Sequence, residues 1–156
     1  MMSGAGRLLA LASLLGGAAG IALGLNAGWF GGGGASNGGR DLARGAQIYA
    51  EACASCHGAS LEGQADWQTP NQNGRLPAPP HDETGHTWHH SDRLLLDIMR
   101  RGTASVVGGG YKSDMPGFGD VYTDDELQDV LAWIKTRWPE RERTFQAEVT
   151  ARDPAD

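Results

Sequence analysis

Only two cysteines, Cys53 and Cys56, occur in the 156 residues, and only two positions separate them. A ring that short staples no domain, so a disulfide framework is excluded. Acidic residues are absent from the first 39 positions, where Arg7 is the one charged side chain. Beyond position 39 basic residues are in deficit, 12 against 19 acids. An acidic domain lacks the basic surface that a phosphate backbone requires, which excludes nucleic acid as a partner. Aromatics are scarce at 7%, and apolar residues of every kind reach 40%. The 117 residues after position 39 can therefore bury only a small core, and small cores are often completed by a cofactor. What is abundant is glycine, 24 residues, of which 13 fall within 1–39. The chain reads as an uncharged, Gly-rich N-terminus followed by an acidic globular part.

From Leu8 to Phe30 the sequence runs 23 residues without a charge. As a helix that run would span about 35 Å, enough for a hydrocarbon core of about 30 Å. The amine of Met1 and Arg7 lie before it, which keeps its start cytoplasmic, and Trp29 and Phe30 close it where interfacial aromatics sit. A cleaved secretory signal is the competing reading, with Gly17-Ala18-Ala19 as the small-residue site. Either reading carries the remainder across a membrane. Residues 31–39 (GGGGASNGG) form a flexible linker with a reach of about 15–18 Å.

Residues 53–57 read Cys-Ala-Ser-Cys-His. Two thiols a helical turn apart can add to the two vinyl groups of one haem, and the adjacent imidazole then lies under the iron. A redox dithiol would belong in an alternating strand and helix context, which does not surround this pair. A zinc site would need two further Cys or His at regular spacing. His81, His86, His89 and His90 exist, but in a Pro-rich segment.

Soft thioether sulfur suits the sixth position of such an iron. Met99 sits within a helical pattern with Leu94, Leu95 and Ile98, the mark of a core residue. Met115 sits in KSDMPGFGD, where Pro116 favours an extended backbone and Gly117 and Gly119 let the chain turn. A ligand from His86, His89 or His90 is the alternative.

Three helices follow from periodicity and caps. Over Asp41–Ala54 the apolar positions Leu42, Ala46, Tyr49, Ala50 and Cys53 keep a helical period, with Gly45 out of place unless another helix crosses closely. Ser91–Arg101 has a serine N-cap, arginines in its last turn and Gly102 as its stop. Thr123-Asp-Asp-Glu126 is a capping box, and Leu127, Val130, Leu131, Ile134 and Trp138 form one stripe before Pro139. Gly58–His90 has little periodicity, a length of loop that suits a compact domain only if it packs on a cofactor. Its His86-Thr-Trp-His-His90 reads either as haem-propionate contacts, a second metal site, a partner contact or a solvated turn. Glu140–Asp156 is charged, a frayed helix or a disordered end.

The N-terminal helix, CASCH, the downstream Met-Pro and the capped last helix occur here in the order found in one family. Over about residues 40–138 the chain resembles a monohaem class I c-type cytochrome of the membrane-anchored or periplasmic bacterial kind. The resemblance implies an all-α fold, three main helices and long loops around one covalent haem c, after an N-terminal transmembrane or signal helix. The implied organisation is an anchor or signal at 1–30, a linker at 31–39, the cytochrome domain at 40–138 and a tail at 139–156. Cys53 and Cys56 would carry the thioethers, His57 would be the proximal ligand to iron and Met115 the distal one. A proline carbonyl would orient the proximal imidazole; Pro79 is taken as the candidate, with Pro77 and Pro80 equally open. Gly45 and Tyr49 would meet Trp133 across the first and last helices. The spacing from His57 to Met115 and the His-rich insertion depart from the shortest members.

The implied function is electron transfer without a catalytic residue or small-molecule substrate, so the chain is not expected to be an enzyme. Its partners would be redox proteins, and the membrane through the N-terminal helix, on the periplasmic side of the inner membrane. A haem-bearing subunit of an oxidase or dehydrogenase complex is the alternative, and a haem sensor or enzyme a further one.

Overall fold

A computed structural model describes residues 39–153. The expected anchor or signal at 1–30 and all of the linker but Gly39 lie outside the described residues. Among the described residues no helix is long and apolar enough to cross a membrane, and no element is a β-strand.

The first helical stretch begins with α1 (Leu42–Ile48), capped by the Asp41 carboxylate, which accepts from Arg44 N at 3.0 Å. It continues through a π-helical turn (Tyr49–Cys53) into α2 (Ala54–His57). A π turn inserts extra residue length into a helix, so the face after it is not the one a 3.6-residue period projects. Ala50, within the turn, is exposed against the expected stripe, while Ile48, at the end of α1, is buried.

The segment between α2 and the next helix contains only turns and a 3₁₀ turn (Thr87–His89). It folds on itself around Leu61, which is 1% exposed and held at φ 72°, a left-handed conformation unusual for a leucine. The Leu61 carbonyl accepts from His81 N at 2.8 Å, and Gln64 N donates to the Ala78 carbonyl at 2.9 Å. The loop thus closes its own backbone hydrogen bonds while contributing one apolar anchor to the core.

α3 (Asp92–Arg101) is capped by Ser91 and stopped by Gly102 at φ +80°, as its sequence signals require. A short α4 (Thr103–Val107) follows. α5 (Asp124–Thr136) opens with a complete capping box: Thr123 N donates to Glu126 Oε2 at 2.8 Å, and Glu126 N donates to Thr123 Oγ1 at 3.3 Å. Its stripe Leu127, Val130, Leu131 and Ile134 is buried, together with Trp138 beyond its end.

The α1–α5 crossing sets the framework. A methyl group at Gly45 would lie 2.2 Å from the Asp129 carbonyl oxygen and 3.1 Å from Trp133 Cβ, so only glycine permits this approach. The Tyr49 ring meets Trp133 at 4.7 Å between centroids. Gly45, Tyr49 and Trp133 are therefore the crossing residues that the resemblance implied. Asp129, 1% exposed, ties the same crossing electrostatically: it accepts from Asp41 N at 3.0 Å and from Arg44 Nε at 2.7 Å. Two charge-assisted hydrogen bonds offset the desolvation of that carboxylate.

The charged tail forms α6 (Glu140–Arg152). It is docked at several points rather than frayed. Gln146, 1% exposed, donates to the His90 carbonyl at 3.2 Å and to Asp92 Oδ1 at 2.6 Å. Arg93 donates to Asp153 at 2.7 Å from beyond its C-terminal end.

Candidate functional site

A cavity of about 740 Å³ lies among α2, the 58–90 segment, α3, α5 and the 111–122 segment. Its walls are largely aliphatic, with Leu94, Leu95, Ile98, Val130 and Ile134 among them. Cys53, Cys56, His57, Pro79 and Met115 all line it, so the structure brings every expected site residue to one place.

The thiols reach the wall because α2 is a single turn: Cys53 caps it, and Cys56 and His57 end it. Neither cysteine is paired. Burial first, then the neighbouring Cys56, pushes the Cys53 thiol up to about 11, so it stays protonated at neutral pH. Cys56 is exposed at the rim.

His57 is 6% exposed. Its Nδ1 lies 2.8 Å from the Pro79 carbonyl oxygen. A carbonyl can only accept, so Nδ1 carries the proton and Nε2 keeps its lone pair for a metal. Burial lowers the imidazole below the usual histidine range, partly opposed by that hydrogen bond. Among the three candidate prolines, the geometry selects Pro79. The choice was hidden in the sequence because the acceptor is backbone, and its place depends on how the whole loop folds.

His81 is the residue that sequence reasoning missed. Its ring stacks on His57 at 3.9 Å between centroids, with the planes 19° apart. Burial, then the neighbouring His57, holds it well below the usual range and neutral. Its Nδ1 is 2.7 Å from Thr87 Oγ1, and its carbonyl accepts from Trp138 Nε1 at 2.6 Å. The His57 imidazole is therefore fixed by a carbonyl at one nitrogen and by a flat ring on one face.

Met115 is held through α3 and α4. Thr103 Oγ1 donates to Met115 Sδ at 3.3 Å. Phe118 N donates to the Met99 carbonyl at 2.8 Å, and Gly119 N to the Arg100 carbonyl at 3.1 Å. These carbonyls belong to the last turn of α3, which has no helical donors left for them. A methyl group at Gly102 would meet Gly117 N at 2.9 Å, and one at Gly117 would meet the Arg100 carbonyl oxygen at 2.5 Å. Two glycines thus allow the methionine segment to lie directly on the helix end. Met99 also lines the cavity but packs, half-buried, against the core cluster, as its helical position suggested.

Of the His-rich stretch, His86 and His90 line the cavity and His89 stacks on Trp88. Among the described residues no group of three or more His, Cys, Asp or Glu is placed to hold a further metal.

The donor set can be tested against a covalent haem. A broad aliphatic cavity, two unpaired thiols at its wall, a neutral imidazole with one free nitrogen and a thioether on the same cavity are what a thioether-linked iron porphyrin requires. The residues present fit the group.

The model of the family described as Cytochrome c matches residues 42–138. The chain is also similar to the Cbb3-type cytochrome c oxidase subunit FixP of Sinorhizobium medicae (strain WSM419). Identity is 28% over 93 residues, which are 60% of this chain and 29% of FixP. The chain therefore spans less than a third of that relative's length. No solved structure matches it.

Proposed function

The chain belongs to the cytochrome c family, whose cofactor is covalent haem c, and on that premise we propose that it is a one-electron carrier between redox proteins. The Cys53 and Cys56 sulfurs would hold the haem as thioethers, and His57 Nε2 and Met115 Sδ would be the ligands to its iron. When bound, the haem would supply a one-electron ferrous/ferric couple. The remaining work falls to the chain. The Pro79 carbonyl and the His81 ring orient His57, Thr103 orients the Met115 sulfur, and the aliphatic walls keep water from the metal. With His57 and Met115 both holding the iron, no substrate would reach it, which favours a carrier over an enzyme.

The observation that carries this reading is that His57, whose Nδ1 is held by the Pro79 carbonyl so that Nε2 is free, and Met115, whose sulfur accepts from Thr103, line one cavity together with both cysteines. Docking of redox partners is weak and brief over a small interface, and an acidic chain favours a basic face on its partner. The uncharged stretch at 8–30 supports a place on the periplasmic side of the inner membrane, tethered by that stretch. Absorption spectra of the reduced and oxidised full chain test the reading: a thioether-linked haem with a far-red sulfur-to-iron band is expected. A ferric protein without that band, or a reduced one that binds carbon monoxide readily, would overturn the Met115 assignment.

A second reading has the likeness to FixP in its favour: the same electron carrier built into an oxidase complex. Purification in mild detergent separates the two, since a complex subunit co-migrates with other chains and a tethered shuttle does not.

A further inference from the structure

The His86–His90 turn is built with more care than a solvated loop needs, and electron transfer as described above makes no use of it. Gly85 makes the turn so tight that a methyl group there would lie 2.0 Å from the Pro80 carbonyl oxygen. Thr87, 6% exposed, donates to that same carbonyl at 3.4 Å. From the other side α6 braces it. Gln146 holds the His90 carbonyl, the Phe145 ring meets Trp88 edge-on at 5.4 Å, and the Arg141 guanidinium lies 6.0 Å over Trp88.

This bracing presents three rings to the cavity. Trp67, from the opposite part of the loop, lies parallel to His86 at 5.2 Å, with planes 2° apart. His90 meets His86 edge-on at 5.2 Å. All three line the cavity. Among the described residues none of their ring nitrogens has a hydrogen-bond partner. The side-chain oxygens of Gln64 and Asn71 in the same wall accept from Ala78 N, and from Asn73 N and Arg75 N, which orients each as a single amide apart from the ring cluster. Tyr111 and Tyr122 also line the cavity, but from the methionine segment and without such a cluster.

An indole nitrogen is only a donor, and a neutral imidazole carries one N–H. Three such donors gathered at one place on a largely aliphatic wall call for an acceptor of high charge density. Haem carries two carboxylates on one edge, and a carboxylate against an aliphatic wall is costly unless N–H groups meet it. We infer that Trp67, His86 and His90 form the seat of the haem propionate carboxylates, with α6 as its backing. Burial first, then the neighbouring imidazoles, holds both rings below the usual histidine range, and a carboxylate seated against them would oppose that shift. The inference rests on the covalent haem of the proposed function but not on Met115 as a ligand.

The test uses the haem-loaded full chain. Trp67→Phe, His86→Phe and His90→Phe keep a ring in place and remove the donor, and His86→Gln returns one. Haem staining on a denaturing gel and the far-red band report the attachment and the methionine ligand. Resonance Raman bending modes of the propionates and the midpoint potential report the seat. The expected result is retained haem and far-red band, shifted propionate modes, and a lower potential. A less neutralised carboxylate favours ferric iron. In the triple variant the ferric-to-ferrous ratio at fixed poise rises about tenfold, equivalent to about 59 mV for one electron. His86→Gln restores part of the shift. Should the triple variant fail to take up haem, the single Trp67→Phe and His90→Phe proteins carry the same readings. Unchanged propionate modes and potential in haem-loaded variants would overturn the inference, as would shifts seen only in Tyr111→Phe or Tyr122→Phe. An absent far-red band in the unsubstituted chain would instead count against Met115 and leave the seat standing.

Discussion

His57 and Met115 line one cavity but are held by different means. His57 sits at 6% exposure, at the end of the helical stretch that crosses α5. Its carbonyl accepts from Gly63 N at 2.8 Å, its ring donates to the Pro79 carbonyl and stacks on His81, and the next residue, Gly58, accepts from Tyr49 Oη at 2.8 Å. Met115 is half-buried on a segment where Asp114, Pro116 and Gly117 are all exposed. It is secured by two hydroxyls, Thr103 on its sulfur and Ser113 on its amide, and its segment by two backbone bonds to the end carbonyls of α3. His57 is thus part of the core, and Met115 is clipped to its edge. Elements with few buried contacts open at lower cost than the global fold. The account therefore expects the methionine to leave the iron before the domain unfolds.

The largest effect lies on the proximal side. Cys53→Ser with Cys56→Ser removes the covalent link, and haem staining on a denaturing gel should fall to nothing. Stain retained by the double variant would break the attachment assignment. Next is Gly45→Ala, whose methyl group has no room beside Asp129. Overpacking of this kind costs about 1–3 kcal/mol. Denaturant unfolding followed by far-UV circular dichroism should show that loss, with the far-red band surviving in the folded protein.

A smaller and more selective effect is expected at Gly102, whose φ of +80° disfavours a side chain by about 1–2 kcal/mol. In Gly102→Ala the far-red band should disappear at lower denaturant than in the parent, while the midpoint of the circular dichroism transition moves less. Equal movement of both would erase the distinction between the two sides. The smallest change is Thr103→Val, which removes one hydrogen bond worth about 1 kcal/mol. It should leave the fold intact and lower the temperature at which the far-red band fades.

The same contrast governs what could be read in advance. CASCH, the Thr123 capping box and the Ser91 and Gly102 signals are local, and local chemistry suffices to place them. Gly45 was legible because a glycine amid a helical pattern needs a close crossing; Tyr49 and Trp133 as its partners were implied by the family resemblance. Ala50 was misplaced because no residue pattern announces the π turn at Tyr49–Cys53. Asp129 looked like one more acid on a helix; only the crossing shows it buried beneath Arg44 and the Asp41 amide. His81 and the Pro79 carbonyl depend on how Leu61 folds the loop, a long-range event. The docking of α6 depends on Gln146, a polar residue that breaks no pattern when read as part of a charged tail.

The ferric absorption spectrum of Met115→Ala, set beside that of the full-length parent, tests the central claim most directly. The account predicts that the variant keeps its covalent haem and loses the far-red sulfur-to-iron band that the parent shows. A parent without the band, or a variant whose spectrum is unchanged, would contradict it.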